Sequence, residues 1–261
     1  MNLVLDPIAA LGRAVLALVA LTGEFALFLA AALTGLVRPP FYLRNLLRAA
    51  MEIGYFSLPV VALTAVFTGM VLALQSYVGF ARFDAQSMIA SVVVLSLTRE
   101  LGPVLAGLMV AGRAGSAMAA ELGTMRVTDQ IDALSTLATD PMRYLVTPRL
   151  LAGAIALPLL VVVADILGVA GGFLVSTVRL GFNPEGYLHT TITYLHASDV
   201  ISGLVKSAVF GFVIAAMGCF HGYRSRGGAQ GVGSATTAAV VSASILILGL
   251  DYVLTQAFFA P

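Results

Sequence analysis

The stretch Leu150–Val178 reads LLAGAIALPLLVVVADILGVAGGFLVSTV and contains one charged side chain, that of Asp165. A helix needs about 20 apolar residues to cross a hydrocarbon core of roughly 30 Å, so this stretch is predicted to span a membrane. The composition extends the prediction to the whole chain. Of its 261 residues 59% are hydrophobic and 10% are charged, whereas soluble domains carry roughly 25% charged residues. The sequence therefore predicts an all-α polytopic membrane protein.

Four further stretches are long and apolar enough to span, namely about Phe56–Gln75, Ser87–Met118, Gly203–His221 and Ala235–Ala260. Lys and Arg concentrate on the cytoplasmic side of a membrane. The cluster Arg38, Arg44 and Arg48 therefore places the entry to the first of these spans in the cytoplasm. Alternation then puts Glu121–Arg149 and Tyr223–Ser234 inside, and Phe80–Gln86 and Arg179–Asp199 outside.

The segment Ile8–Val37 is also long enough to span, but Arg13 and Glu24 interrupt it. It either crosses the membrane or lies in the cytoplasmic interface as a horizontal helix. The residues before it lack the basic region of a secretory signal, so no cleavable signal is predicted.

Several classes of function are disfavoured by what the sequence lacks. A net charge of +1 gives no support to nucleic-acid binding through bulk positive charge. The single Cys219 cannot form an intrachain disulfide, and the three histidines are too scattered to predict a metal site. The only lysine, Lys206, follows Val205, so the chain has no P-loop, and neither HExxH nor GxSxG occurs. We expect no catalytic residue, metal or cofactor in this chain.

Ionisable residues inside a membrane are costly and indicate function by default. Arg99 and Glu100 lie in the middle of the second span. They either line a polar cavity that meets a lipid headgroup, or pair with other helices in a purely structural role. Asp165 and Asp251 are more ambiguous, and the sequence assigns them no role.

Small residues recur at every fourth position of the second span, which allows another backbone to approach closely. They are Gly107, Ala111, Gly115, Ala119 and Gly123. This close-packing stripe serves either packing within the bundle or a symmetric dimer contact.

The cytoplasmic stretch TMRVTDQIDALSTLATDP, residues 124–141, has a helical pattern of apolar residues at Val127, Ile131 and Leu134. Pro141 is expected to end the segment. A short amphipathic helix between two spans either docks into a groove of a partner or is an ordinary interfacial helix.

The segment RELGPVLAGLMVAGRAGSAMAAELGTMRVTDQIDAL, residues 99–134, resembles the signature of the MlaE/YrbE-type permeases. These are the membrane subunits of ABC lipid transporters that work with MCE-domain proteins. The resemblance covers nearly the whole chain after about Phe56 and continues through Thr139–Gly153, Ala156–Leu160, Gly227–Val241 and Leu248–Leu254.

The resemblance implies one permease domain over residues 1–261, with an interfacial helix in residues 1–50 and five transmembrane helices in residues 51–261. It implies a homodimer in the bacterial inner membrane, with ATP and Mg bound by cytoplasmic ABC ATPase subunits. The loop around Met125–Leu137 would be the coupling helix that contacts the ATPase, through the polar residues Glu121, Arg126, Asp129, Gln130 and Asp132.

The same resemblance implies a lipid cavity at the dimer centre, open to a periplasmic ring of MCE-domain proteins. By position it would be lined by Arg99 and Glu100 with Leu72, Gly79, Phe80 and Phe83. The implied function is phospholipid movement between the inner membrane and that ring, in support of outer-membrane lipid homeostasis, with a small cytoplasmic accessory protein as an optional partner. Some relatives carry arginines where this chain has Ser234 and Ala238, which weakens a headgroup role there.

Two other classes of function remain open. A lipid-modifying membrane enzyme needs a catalytic cluster at the interface, for which HASD at residues 196–199 is the candidate. A passive channel or scaffold needs no ATPase, and would leave the short amphipathic helix without a purpose.

Overall fold

The structure, a computed structural model, describes residues 2–37, 39, 41–83 and 86–259. This part of the chain is helical throughout and contains no strand. Its helices are α1 (Asn2–Val37), α2 (Leu43–Ile53), α3 (Leu58–Phe80), α4 (Ile89–Ser96), α5 (Gly102–Val110), α6 (Ser116–Val127), α7 (Gln130–Thr136), α8 (Thr147–Val178), α9 (Pro184–Tyr194), α10 (Ala197–Tyr223) and α11 (Gly228–Phe259).

Six of the described segments are long and apolar enough to cross a membrane by length and composition. Five of them overlap the five predicted spans, and each extends beyond its predicted span at one end or both. The sixth is Val15–Gly35, within α1. The all-α polytopic fold predicted from the sequence is therefore confirmed.

The second membrane helix, Ile89–Val127, runs without a break through α4, α5 and α6. Two π-helical turns, Leu97–Leu101 and Ala111–Gly115, join these three helices. Such turns insert an extra residue into a helix and are frequent at functional sites. Both turns carry arginine, Arg99 in the first and Arg113 in the second.

Helix α8 lies at the centre of the bundle, between α3 and α10. Glycines allow the backbones to touch at two crossings. Gly69 packs on the backbone of Gly168, and Gly153 packs on that of Gly211, so closely that a side-chain carbon would not fit. Membrane helices commonly associate in this way, because small residues give extensive van der Waals contact.

Helix α1 crosses the ends of two other helices. Phe25 and Phe28 pack against Phe220 near the end of α10, with ring centroids 5.2 and 5.5 Å apart. One turn further on, the carbonyl of Ala32 accepts a hydrogen bond from Thr147 Oγ1, at the start of α8. Both contacts lie at the end of the bundle that the sequence places in the cytoplasm. The interfacial orientation of the segment Ile8–Val37 stays a prediction, and these contacts are compatible with it.

Two regions differ from the predicted loops. The outer loop 179–199 contains α9, which begins after Asn183, whose side chain accepts hydrogen bonds from the backbone of Glu185 and Gly186. The glycine-rich end of the loop 223–234 is helical, because α11 begins at Gly228.

Candidate functional site

Lys206 on α10 is fully buried and is the centre of a charge network inside the membrane. Its Nζ lies 2.8 Å from Glu100 Oε2 and 3.0 Å from Asp251 Oδ1. It also donates hydrogen bonds to the Arg99 carbonyl, at 3.0 Å, and to Thr255 Oγ1, at 2.7 Å. One ammonium thus joins α10 to the first π-helical turn and to α11.

Arg99 forms the second half of the network. Its guanidinium lies 2.7 Å from Asp199 Oδ1, and its Cζ is 4.5 Å from the centroid of the Phe259 ring. Asp199 is fully buried, and its Oδ2 accepts a hydrogen bond from the backbone N–H of His196 at 3.0 Å. Arg99 therefore holds the beginning of α10 against the end of α11.

The charged side chains of the network are ion-paired, but some of them remain partly exposed. The side chains of Arg99 and Glu100 remain 34% and 38% exposed. Two cations, Arg99 and Lys206, face three carboxylates on Glu100, Asp199 and Asp251, which gives a formal charge of −1 when all five are ionised. This geometry is compatible with both predicted roles of Arg99 and Glu100. Their partners on other helices fit a structural role, and their exposed polar surface fits a cavity wall.

The other predicted cavity residues lie on a different side of the second membrane helix. Leu72 and Phe80 on α3 pack against an apolar cluster that includes Leu97. Gly79 has open space where a side chain would be. Phe83 ends a short 3-10 turn, and its side chain lies outside the described residues. Within one subunit, the charged and apolar members of the predicted cavity therefore contact different neighbours.

The sequence did not predict Lys206 and Asp199 as partners of Arg99 and Glu100, although it named Asp199 within the HASD segment. A signal was available, because a lysine among apolar residues needs a partner. The sequence could not supply the partner, since Lys206 and Glu100 are 106 positions apart.

Among the predicted coupling residues, Glu121 and Arg126 lie in the part of α6 that the sequence places in the cytoplasm. Glu121 Oε2 pairs with Arg149 at 2.7 Å. Arg126 pairs with Asp132 Oδ1 at 2.6 Å, and its Cζ lies 5.8 Å from the centroid of the Tyr223 ring.

The predicted coupling helix is shorter in the structure than the range Met125–Leu137. Helix α6 continues to Val127, so the separate helix α7 covers only Gln130–Thr136. Asp129 makes the turn between them with a φ of 57°, a left-handed conformation that Asp and Asn tolerate better than most residues. The helix ends before Pro141, at a turn where Ala138 has a φ of 55°.

Helix α7 is amphipathic as the spacing predicts. Ile131 is buried, while Asp129, Gln130 and Asp132 are exposed. The charged face is therefore free for a partner, and the apolar face holds the helix on the bundle.

The close-packing stripe faces other helices of the same chain. A side-chain carbon at Gly107 would touch Ile247 and Phe210, and one at Gly115 would lie 3.3 Å from Ile214. Ala111 and Ala119 are fully buried, and Gly123 lies against Ser225 and Val232. The stripe thus packs on α10 and α11 within the subunit.

Arg113, in the second π-helical turn, bonds to the junction between α2 and α3. Its NH1 donates to the Glu52 carbonyl at 2.8 Å and to Ser57 Oγ at 2.9 Å. The long second helix is thereby fixed to the point where the chain turns into the first span.

The HASD segment forms the start of α10. The side chain of Asp199 caps the helix by accepting from His196 N and also binds Arg99, so both carboxylate oxygens are engaged. The arrangement gives no support to a hydrolytic centre at these residues.

Comparison with known proteins agrees with this architecture. The family model described as Permease MlaE matches residues 46–257. A protein of Rickettsia conorii named "Probable ABC transporter permease protein" is 60% identical over 237 residues, which are 91% of this chain and 92% of the relative. The intermembrane phospholipid transport system permease protein MlaE of Haemophilus influenzae is 35% identical over 260 residues, which are 98% and 99% of the two chains. A chloroplastic protein of Arabidopsis thaliana, TRIGALACTOSYLDIACYLGLYCEROL 1, is 40% identical over 83% of this chain and 62% of its own length.

Proposed function

This chain belongs to the MlaE permease family, and from that membership we propose that it is the membrane subunit of an ABC transporter that moves phospholipid or a similarly apolar lipid. The lipid passes between the inner membrane and a periplasmic ring of MCE-domain proteins, and the transport supports outer-membrane lipid homeostasis. The name of the Haemophilus influenzae relative, which specifies intermembrane phospholipid transport, supports this choice of substrate.

The observation that carries the proposal is the continuity of the second membrane helix. It leads without a break from Val127, next to the turn into α7, to the charge network. The distance from Val127 to Arg99 along the helix is about 42 Å at 1.5 Å per residue. A push on α7 is therefore transmitted to Arg99 and Glu100 through one rigid element.

In this mechanism a partner ATPase binds ATP and Mg and presses on the exposed polar face around Asp129, Gln130 and Asp132. Glu121 and Arg126 hold the base of that face through their ion pairs with Arg149 and Asp132. Motion of the second helix then shifts Arg99 and Glu100 relative to α10 and α11. The cavity narrows and the lipid is displaced.

The lipid site in this proposal forms between two copies of the chain. The partly exposed side chains of Arg99 and Glu100 supply the polar wall, and Leu72, Gly79, Phe80 and Phe83 of α3 and the turn after it supply the apolar wall. A dimer is needed because one subunit directs these two groups to different sides of the second helix. A small cytoplasmic accessory protein is a further candidate partner of the ATPase.

The test replaces Asp129 by asparagine in the chain purified with its ATPase. Asp129→Asn removes the exposed charge but retains a residue that tolerates the left-handed turn. We expect lipid-stimulated ATPase activity to fall at least about fivefold, which corresponds to a loss of about 1 kcal/mol of coupling. Thermal unfolding should be unchanged.

Glu185→Gln is the matched control, because it removes an exposed carboxylate at the opposite end of the bundle, on α9. It should leave the ATPase activity at the wild-type level. Undiminished stimulation in Asp129→Asn would refute the role of this turn, and the absence of any co-purifying ATPase would refute the transporter itself.

A further inference from the structure

A second candidate site adjoins the charge network but is lined by different residues. It is an apolar groove of about 450 Å³ between the second membrane helix, α8, α9 and the start of α10. The volume is in the range of about 300–1,000 Å³ that is usual for small-molecule sites. None of the residues that form the charge network lines the groove.

Asp165 is the one charged residue among the described residues that line this groove and gives it a polar group for a ligand. It lies on the groove wall among residues such as Val94, Val162 and Val169. Its Oδ1 is buried and has no hydrogen-bond partner among the described residues. The other carboxyl oxygen also lacks a partner among the described residues and, unlike Oδ1, is not enclosed. Burying a carboxyl group without a donor is costly, so a ligand in the groove that donates to this second oxygen would be stabilised there.

The second membrane helix leaves room for the Asp165 carboxyl group at Gly102. Gly102 follows the first π-helical turn, and a side-chain carbon at this position would collide with Asp165 Oδ1. The absence of a side chain at Gly102 thus leaves the space that the carboxyl occupies. The remainder of this half-buried side chain faces the groove.

The walls and the opening restrict the chemistry of the occupant. The two threonines on the wall, Thr98 and Thr191, already donate their hydroxyl hydrogens to backbone carbonyls. An anionic phosphate is disfavoured, because the groove offers a carboxyl group and no cation among its lining residues. The rim residues Ile166 and Leu188 are 63% and 46% exposed, so the opening faces the surface that lipid covers.

We propose that this groove binds a neutral, single-chain lipid that ends in a hydroxyl group, with the hydroxyl donating to Asp165 and the chain extending towards α9. From Asp165 to Phe173 the groove wall rises about 12 Å along α8. The far end of a bound chain therefore lies near Leu188. The site is separate from the proposed transport cavity and does not depend on its function.

The test uses the absence of tryptophan from the chain. Leu188→Trp introduces a single fluorophore at the rim, in the full chain reconstituted in phosphatidylcholine nanodiscs. The probes are 12-bromododecan-1-ol and its methyl ether. The ether has the same chain but no hydroxyl group to donate a hydrogen bond. Bromine quenches a neighbouring indole. We expect the alcohol to quench at a concentration about tenfold lower than the ether, as one hydrogen bond to a carboxylate allows.

The variant Asp165→Leu, combined with Leu188→Trp, should remove the preference and leave quenching by the ether unchanged. Asp165→Asn is a second variant of closer shape, and it should reduce the preference. Leu63→Trp, exposed on α3 away from the groove, is the control reporter and should show no preference. Equal quenching by alcohol and ether at Leu188→Trp would overturn the proposal, as would a preference that survives in Asp165→Leu.

Discussion

Charged residues at the two ends of the second membrane helix are held in opposite ways. Ten residues after its beginning at Ile89, Arg99 and Glu100 pair with Asp199 and Lys206, both of which are fully buried. At its other end, which the sequence places in the cytoplasm, Arg126 pairs with Asp132, whose side chain is 61% exposed. The first arrangement joins three parts of the bundle, and the second joins only neighbouring turns. One helix thus combines a fixed end with an end that a partner can reach.

The strongest test of this contrast removes the buried cation. Lys206→Met leaves Glu100 and Asp251 beside each other without their counter-charge. Removing one member of a buried pair costs roughly 3–5 kcal/mol, and we expect about 3 kcal/mol here because Glu100 is partly exposed. Thermal unfolding of the purified protein in one detergent measures the loss.

The double variant Lys206→Met with Asp251→Asn should recover part of that stability, since one of the two stranded charges is removed. A Lys206→Met protein that unfolds at the wild-type temperature would show that the buried network does not fix the outer end.

An intermediate effect is expected at Arg113, which lies between the two ends. Arg113→Met removes two hydrogen bonds from a charged donor, to the Glu52 carbonyl and to Ser57 Oγ. Arg113 is only half-buried, so each bond is expected to contribute about 1 kcal/mol, the typical net value for a hydrogen bond, and the loss in thermal unfolding should be about 2 kcal/mol. Ser57→Ala removes only one of the two acceptors and should cost about half as much. Equal losses in the two variants would contradict the assignment of two independent bonds.

The smallest effect on stability is expected at the exposed end. Asp132→Asn breaks the ion pair with Arg126, and solvent-exposed pairs contribute at most about 1 kcal/mol. The loss should shrink further in 1 M salt, where the screening length is about 3 Å. Arg126→Gln provides the comparison, and the two substitutions together should cost no more than either alone. A loss as large as that in Lys206→Met would remove the distinction between the two ends.

Hydropathy predicted the spans, because the length of an apolar run is a local property of the sequence. It placed their ends less well, since the helices continue beyond the lipid, as α10 does from Ala197 to Tyr223. Helix α9 was missed because its 11 residues are too few for a span. Asn183 followed by Pro184 is nevertheless a typical start of a helix and could have indicated it.

The amphipathic face of α7 was predictable from the spacing of Val127, Ile131 and Leu134. Its true length was not, because the left-handed turn at Asp129 interrupts an otherwise helical pattern. The pairing of Arg99 with Asp199 joins residues 100 positions apart. Such a contact depends on how α10 packs against the second helix, and no local pattern contains that information.

The contacts of α1 have a consequence for the order in which the molecule is assembled. This helix is synthesised before the other described helices, yet it contacts residues from the second half of the chain, among them Arg143, Thr147, Phe220, Tyr223 and Arg224. During translation α1 therefore cannot complete these contacts until α10 has been made. The ion pair of Glu24 with Arg224 can close only then. Of the helices that the structure describes, the earliest in the chain is thus among the last to complete its packing.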